Sequence, residues 1–270
     1  MTVPFDLDGA AAVLTGAGSG IGRATAISLA ARGAQVVASD LDPGRAEETA
    51  ELVTAAGGAA DWLAVDVSDQ ADLEALRDRC LDRFGRLDVV MNNVGVLTMG
   101  PPEALPIDAW QRVLDLNLLS IARSNLVFLP HLLAQGHGHV VNTASASGLL
   151  AYGFDRLPYV ASKHAIVGLS EALALYLAPK GVGVTCLCPS GVITNILEQI
   201  TVYGQPASPR APQHELVGPD VVGELVADAM TAGTFLVVTA PEIHDELRDR
   251  ADDIEAYLQR LISSQDEGEG

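Results

Sequence analysis

Short apolar runs alternate with amphipathic stretches along most of this 270-residue chain. The runs at Val89-Val90-Met91 and His139-Val140-Val141 are apolar on successive residues, which is typical of parallel strands buried on both faces. The predicted strands cover residues 11–15, 35–39, 60–65, 87–92, 138–143, 182–188 and 234–239. The predicted helices cover residues 20–32, 43–56, 69–84, 104–134, 157–178 and 219–232. This alternation predicts an α/β fold with one doubly wound parallel sheet of about seven strands in a single domain.

Two segments interrupt the alternation. Residues 193–218 contain Pro206, Pro209 and Pro212 with few periodic apolar positions, so we expect a substrate loop or lid there. The chain then ends in a charged stretch that predicts a helix from Glu242 to Ser263 and a disordered acidic end. We therefore divide the chain into a domain at 1–245 and a C-terminal helix and tail at 246–270.

The turn after the first predicted strand carries four glycines in seven residues, in the order Thr15-Gly16-Ala17-Gly18-Ser19-Gly20-Ile21-Gly22. Any tight strand-to-helix turn can contain glycine, but here a strand precedes the turn and a helix follows it. The next strand ends on Asp40, roughly 20 residues further on, where a carboxylate can accept from ribose hydroxyls. The pattern predicts a Rossmann-like dinucleotide site in which Gly16, Ser19, Gly20, Ile21 and Gly22 face the pyrophosphate.

The acidic side chain also predicts which dinucleotide is bound. Asp40 would repel a 2′-phosphate and accept from a free 2′-hydroxyl. Arg45 is the nearest candidate cation for a phosphate and lies further into the next predicted helix. We therefore expect NAD rather than NADP.

Charge and cysteine content exclude several other classes. The net charge of −19 argues against nucleic acid and anionic membranes as partners. The three cysteines form no disulfide framework and no metal-ligand pattern, which favours the cytoplasm and no metal. The N-terminus lacks the pattern of a signal peptide, and we expect no apolar run that spans a bilayer.

Both lysines of the chain follow a tyrosine by four residues, as Tyr159 with Lys163 and Tyr176 with Lys180. Either pair lies on one face of a helix. Tyr159 follows Pro158 and so begins its helix, at the end that borders the ligand crevice of an open α/β sheet. We interpret the second pair as structural. A neighbouring ammonium lowers the pKa of a phenol, so Lys163 is expected to make Tyr159 a usable base.

Together with further motifs, these residues make the chain resemble the short-chain dehydrogenase/reductase family over about residues 5–240. The matching motifs are Thr15 to Gly22, Asp66-Val67, Asn92-Asn93-Val94-Gly95, Asn117, Ser145, Tyr159 with Lys163, and Pro189 to Thr194. One departure is Ser190, which stands where the family usually has glycine. Ser147 is an alternative to Ser145.

The resemblance implies an NAD-dependent oxidoreductase that interconverts a secondary alcohol and a ketone. It implies that Tyr159 is the general acid or base and that Ser145 hydrogen-bonds the substrate oxygen. Lys163 would also hold the nicotinamide ribose, and Asn117 would position a water of a proton relay. The further cofactor contacts that it implies are Asp66 and Val67 at the adenine, Asn93 and Gly95 along the adenosine, and Val192 and Thr194 at the carboxamide.

Two alternatives stay open from the sequence. An epimerase or dehydratase could use the same fold and residues, and so could a catalytically silent NAD-binding scaffold. The family also implies a homotetramer or homodimer assembled through the helices near 104–134 and 157–178. A hydrophobic substrate is expected because several residues near the predicted pocket are apolar, namely Leu149, Leu150, Phe154, Ile196 and Leu197.

Overall fold

The computed structural model describes residues 3–194, 199–205 and 214–266. Within these residues, seven strands form one parallel sheet. They are β1 (Ala11–Leu14), β2 (Gln35–Asp40), β3 (Ala59–Ala64), β4 (Val89–Asn92), β6 (Gly138–Thr143), β7 (Val182–Cys188) and β9 (Leu236–Val238). Their order across the sheet is β3-β2-β1-β4-β6-β7-β9. Strands β5 (Leu97–Met99) and β8 (Ile200–Val202) form a separate parallel pair.

Helices cover both faces of the sheet. They are α1 (Gly20–Ala31), α2 (Pro43–Ala55), α3 (Gln70–Phe84), α4 (Ile107–Leu114), α5 (Ser120–Gln135), α6 (Leu157–Leu177), α7 (Pro219–Ala232), α8 (Ile243–Asp252) and α9 (Ile254–Asp266). Helices α1 and α7 pack on one face, and α3 and α5 pack on the other. The predicted fold class is therefore confirmed.

The central strand β1 is apolar at every position because both of its faces are covered by helices. Ala12 and Leu14 face the cluster formed with α1 and α7, while Ala11 and Val13 face the cluster formed with α3 and α5. All four side chains are buried. A strand covered by helices on both faces has no polar side to present to water.

Strands β5 and β8 are the elements that the apolar pattern does not predict. Their pairing aligns Leu97 with Ile200 and Met99 with Val202. Strand β8 lies inside the predicted loop at 193–218, so part of that segment is regular structure. Residues 195–198 and 206–213 of the same segment lie outside the described residues.

The predicted helix at 104–134 is interrupted by a wide turn. Residues Asp115–Leu119 form a π-helical turn between α4 and α5, and Asn117 lies within it. The whole stretch Ile107–Gln135 is long and apolar enough to cross a membrane by length and composition, but it is not an uncharged run, since it contains Asp108 and Arg112. A core helix meets the same test, and here Ile121 and Phe128 are buried in the core.

The predicted C-terminal helix is two helices. Asp253, between α8 and α9, has an extended backbone, and its Oδ1 accepts from the main-chain N–H of Ala256 at 2.9 Å. Asp253 therefore starts a new helix instead of continuing the first. Residues 267–270 of the predicted disordered end lie outside the described residues.

The carboxyl ends of four neighbouring strands meet at one edge of the sheet. The chain leaves β1 at Thr15, β4 at Asn93, β6 at Ala144 and β7 at Pro189. The strand order reverses between β1 and β4, which is where doubly wound sheets form their ligand crevice. The fold thus brings the predicted motifs together at this edge.

At the opposite edge of the sheet, the buried carboxylate of Asp88 interacts with three groups. Its Oδ2 accepts from the main-chain N–H of Ala11 at 2.8 Å and from Nε of Arg86 at 2.6 Å. His137 Nε2 lies 3.1 Å from its Oδ1. Burial would raise the pKa of Asp88, but the hydrogen bonds from Arg86, Ala11 and His137 outweigh burial and hold the pKa below its ordinary value.

We expect Asp88→Asn to lower the free energy of unfolding by about 1–3 kcal/mol at neutral pH, because it weakens these hydrogen bonds in a buried place. A carboxyl with a depressed pKa in the folded state stabilises above its unfolded pKa and loses that effect as the pH falls. Urea unfolding of both proteins from about pH 7 to about pH 3.5 should therefore show the difference shrinking below about pH 4. An equal difference at every pH would contradict this role, and exposed Asp78→Asn is the control.

Candidate active site

The turn between β1 and α1 requires glycine for two physical reasons. Gly16 and Gly20 have φ angles of +61° and +50°, which other residues rarely adopt. A Cβ on Gly18 would lie 2.7 Å from Asp40 Oδ2, so a side chain would displace the carboxylate. The backbone therefore passes unusually close to the end of β2.

The first turn of α1 has no side-chain cap within the described structure. Ser19 occupies the N-cap position and makes no side-chain cap hydrogen bond. In contrast, Asp42 accepts from two N–H groups at the start of α2, and Asp69 accepts from Ala71 N at the start of α3. The N–H groups and the dipole of α1 are thus available to an anion.

Asp40 lies beside this turn, at the end of β2. Its Oδ2 accepts from the main-chain N–H of Gly18 at 3.0 Å, and its Oδ1 accepts from that of Asp42 at 3.1 Å. Arg45 lies further along the chain, in α2, but its Cβ is also 2.7 Å from where a Cβ on Gly18 would be. A carboxylate and the stem of an arginine therefore border the same turn.

Asp66 and Val67 follow β3 and differ in their surroundings. The Asp66 Oδ1 accepts from the hydroxyl and the main-chain N–H of Ser68 at 2.7 and 2.8 Å. These hydrogen bonds lower the pKa of Asp66. Val67 is buried in the core on the α3 side, so its side chain is a packing residue.

Asn93 connects the glycine turn to two strands. Its Nδ2 donates to the Gly16 carbonyl at 3.1 Å, and its main-chain N–H donates to Thr15 Oγ1 at 3.2 Å. Its Oδ1 accepts from Thr143 Oγ1 at 3.1 Å. Asn93 therefore sets the relative positions of the ends of β1, β4 and β6.

Lys163 projects from α6 to the end of β6. The buried Nζ donates to the Thr143 carbonyl at 2.9 Å. Burial lowers the pKa of Lys163 to about 8. A Cβ on Gly95 would lie 3.3 Å from this Nζ, so the glycine leaves the space that the ammonium uses.

Tyr159 lies on α6, one turn before Lys163, and its hydroxyl interacts with Ser145. The Lys163 Nζ is 5.5 Å from the centroid of the Tyr159 ring. Burial raises the pKa of Tyr159, and the hydrogen bond with Ser145 and the charge of Arg156 oppose that rise only in part. The expected lowering of the pKa of Tyr159 by Lys163 is therefore not found, because desolvation of the phenolate is the larger effect.

Ser147 is placed differently from Ser145. Its main-chain N–H donates to Ser145 Oγ at 3.1 Å, and the two residues begin a short 3₁₀ turn at Ala146–Gly148. The main-chain N–H of Ser147 thus helps to position the Ser145 hydroxyl. Ser145 is the serine that contacts Tyr159.

Asn117 is buried, and its side chain is committed to protein groups. Its Oδ1 accepts from Val96 N at 2.8 Å, and its Nδ2 donates to the Val96 carbonyl at 3.0 Å. The same Nδ2 lies 3.1 Å from Ser162 Oγ. The Asn117 side chain therefore holds the segment after β4 against α6, the helix that carries Lys163.

The second tyrosine–lysine pair lies at the far end of α6. Lys180 Nζ donates to the Tyr176 carbonyl at 2.8 Å and sits 3.6 Å from the centroid of its ring. Tyr176 is about half exposed. This pair makes a local contact at the helix end and is remote from Tyr159 along the helix.

The segment after β7 reaches back to the start of α1. A Cβ on Gly20 would lie 3.1 Å from Thr194 Cγ2. Val192 forms an isolated parallel bridge with Val217, and Ile193 N donates to the Val217 carbonyl at 3.0 Å. Val192 and Thr194 therefore lie at the same strand edge as the glycine turn.

One predicted pocket residue is wrongly assigned, and one polar group is missed. Leu150 is fully buried in a cluster with Ile243 and Tyr257 of the C-terminal helices, so it is a core residue. Ile196 and Leu197 lie outside the described residues. Ser190, seen in the sequence only as a departure from glycine, makes a hydrogen bond to His214 that links it to α8.

An uncapped helix start and a tyrosine–lysine pair with a buried lysine, at one strand edge, define the class of nucleotide-dependent α/β oxidoreductases. The model of the family described as short chain dehydrogenase matches residues 10–202. The chain therefore belongs to the short chain dehydrogenase family.

Two relatives with assigned reactions are named for cyclic alcohols, and a third, 36% identical, is a D-threitol dehydrogenase of Mycolicibacterium smegmatis that covers 73% of this chain and 76% of that protein. A cyclohexanol dehydrogenase of Acinetobacter sp. (strain SE19) is 37% identical over 190 residues, which is 70% of this chain and 75% of that protein. A cis-4-hydroxycyclohexanecarboxylate dehydrogenase of Sinomonas cyclohexanicum is 36% identical over 234 residues, 84% of this chain and 91% of that protein. A short chain dehydrogenase/reductase from Burkholderia phymatum, solved in complex with NAD, is 34% identical with a TM-score of 0.83 and covers 93% of this chain and 96% of that one.

Proposed function

We propose that this protein is an NAD-dependent dehydrogenase that interconverts an apolar secondary alcohol and its ketone. The observation that carries the proposal is the meeting of Ser145, Tyr159 and Lys163 at the strand edge where the start of α1 is uncapped. An epimerase or dehydratase could use the same residues, but the relatives with assigned reactions named above are dehydrogenases.

The residues at this edge fit a dinucleotide. The first turn of α1 offers its N–H groups to a pyrophosphate, and Asp40 offers carboxylate oxygens to a ribose. A carboxylate at that place disfavours a 2′-phosphate. The Burkholderia phymatum relative, which was solved with NAD, supports the same cofactor here.

The chemistry follows from the three side chains. Tyr159 takes the proton of the substrate hydroxyl, and Ser145 holds the oxygen on which charge develops. Lys163, fixed by the Thr143 carbonyl, stabilises the phenolate and holds the nicotinamide ribose. When bound, NAD supplies the acceptor for the hydride. Burial raises the pKa of Tyr159, so the phenol is also ready to donate a proton in ketone reduction.

The substrate is proposed to be apolar and ring-sized. Phe154 is about 40% exposed and Leu149 is partly buried, and both lie in the segment between Ser145 and Tyr159. The relatives named for cyclohexanol and cis-4-hydroxycyclohexanecarboxylate support cyclic secondary alcohols as the first substrates to test.

We also propose a reducing compartment, the cytoplasm. Cys80, Cys186 and Cys188 are free and buried. Burial raises the pKa of Cys80 to about 12, and the Sγ atoms of the other two lie 3.8 Å apart. Unoxidised thiols of this kind are usual in cytosolic proteins.

Assembly into a homodimer or homotetramer is proposed from the surface of α5 and α6. Leu126 on α5 and Leu175 on α6 are about 70% and 80% exposed. Large exposed apolar side chains of this kind are what a second copy would cover.

We expect Tyr159→Phe to lower kcat with NAD and a cyclic secondary alcohol by about 100-fold or more, because it removes the acid–base group. NADH binding, followed by fluorescence titration, should be retained. Tyr176→Phe is the matched control, since it removes the same atom from a second tyrosine with a lysine four residues later. Its turnover should equal that of the unmodified protein. Equal losses in both variants would contradict this assignment of the active site.

We expect Leu126→Glu to reduce the molar mass measured by light scattering after gel filtration, because it places a charge in the proposed interface. Val221→Glu on α7, half exposed on the other face of the sheet, is the control and should leave the mass unchanged. A monomeric unmodified protein, or a Leu126→Glu variant of unchanged mass, would rule out this interface.

A further inference from the structure

A partly buried network of hydrogen bonds joins three distant segments beside the site. Ser190 Oγ lies 2.7 Å from Nδ1 of His214, and Nε2 of the same ring lies 2.8 Å from Glu246 Oε1. The other oxygen of Glu246 accepts from the hydroxyl of Tyr152 at 2.9 Å. Only 5% of the His214 side chain is exposed.

Each side chain of this hydrogen-bonded network has a partner when His214 is neutral. The ring then donates from Nε2 to the carboxylate and accepts at Nδ1 from the Ser190 hydroxyl. The main-chain N–H of Ser190 donates to Thr239 Oγ1 at 2.8 Å. Tyr152 also packs edge-on against His214, with ring centroids 5.7 Å apart. A fully satisfied network with little water has a strongly preferred geometry.

One end of the network controls the segment that leads to Thr194. Ser190 lies two residues before Val192, whose neighbours form main-chain hydrogen bonds with Val217. Val217 N donates to the Gly191 carbonyl at 3.0 Å, so the strand-like contact begins directly after the serine. Fixing Ser190 therefore fixes the path of residues 190–194.

The other end belongs to the C-terminal helices. Glu246 is on α8, and Ile243 of the same helix is buried with Leu150 and Ala146. Ala146 directly follows Ser145. The C-terminal helices thus contact the segment that carries the catalytic serine through apolar packing, and the segment before Thr194 through the polar chain.

We propose that Ser190, His214 and Glu246 are positioning residues through which α8 holds residues 190–194 in the conformation that receives the nicotinamide half of the dinucleotide. The inference rests on the proposed function, because it assigns a task to the same cofactor site. It gives the C-terminal helices a part in cofactor binding. It also accounts for serine at position 190, where its hydroxyl has a partner that glycine could not have.

The test compares binding of NADH with binding of ADP-ribose, which lacks the nicotinamide. Ser190→Ala removes only the hydroxyl, and Glu246→Ala removes the far end of the network. Each variant should bind NADH about 3- to 30-fold more weakly, as expected for the loss of one or two hydrogen bonds. The affinity for ADP-ribose, measured by calorimetry, should stay at the unmodified value.

Two further variants separate positioning from folding. Glu246→Gln keeps an oxygen for His214 and should restore most of the NADH affinity. The double variant Ser190→Ala with Glu246→Ala should bind NADH no more weakly than either single variant, because both break one network. Asp245→Asn, an exposed neighbour on α8 that pairs with Arg248, should behave as the unmodified protein.

Three outcomes would overturn the inference. Unchanged NADH affinity in Ser190→Ala and Glu246→Ala would reduce the network to a structural feature. Equal losses for NADH and ADP-ribose would indicate a general disturbance of the fold. If the unmodified protein bound neither compound, the proposed function itself would fail, and this inference with it.

Discussion

The side-chain amide of Asn93 is the contact on which the candidate site most depends. It donates to the Gly16 carbonyl of the glycine turn and accepts from the Thr143 hydroxyl at the end of β6. The carbonyl of Thr143 in turn accepts from Lys163. One amide therefore connects the glycine turn to the lysine of the tyrosine–lysine pair. Parallel strands bring these groups to one edge, and the amide sets the distances between them.

Burial determines the electrostatics of the candidate site. It raises the pKa of Tyr159 and lowers the pKa of Lys163 to about 8, so both shifts favour the neutral forms. An uncharged phenol can donate a proton as it stands, whereas abstraction of a proton needs additional positive charge nearby. The acid–base chemistry of Tyr159 is thus coupled to the contents of the cofactor site.

Much of this fold follows from local pattern, and the missing parts depend on distant contacts. Apolar runs and glycine turns predict the seven strands of the sheet, because the central strands β1, β4, β6 and β7 are buried on both faces. Strands β5 and β8 are three residues long and pair across about 100 residues of chain, so no local periodicity predicts them. The break before α9 had a local signal, since Asp253 can cap a new helix. The motifs predict the site residues, but not the contact of Ser190 with His214 and Glu246.

The most direct test of the account is a calorimetric titration of the unmodified protein with NADH and, separately, with NADPH. The account predicts clear preference for NADH, by about tenfold or more, because the Asp40 carboxylate at the glycine turn opposes a 2′-phosphate. Preference for NADPH would mean that Arg45, whose stem borders the same turn, binds that phosphate. Binding of neither dinucleotide would contradict the central claim that this strand edge is a cofactor site.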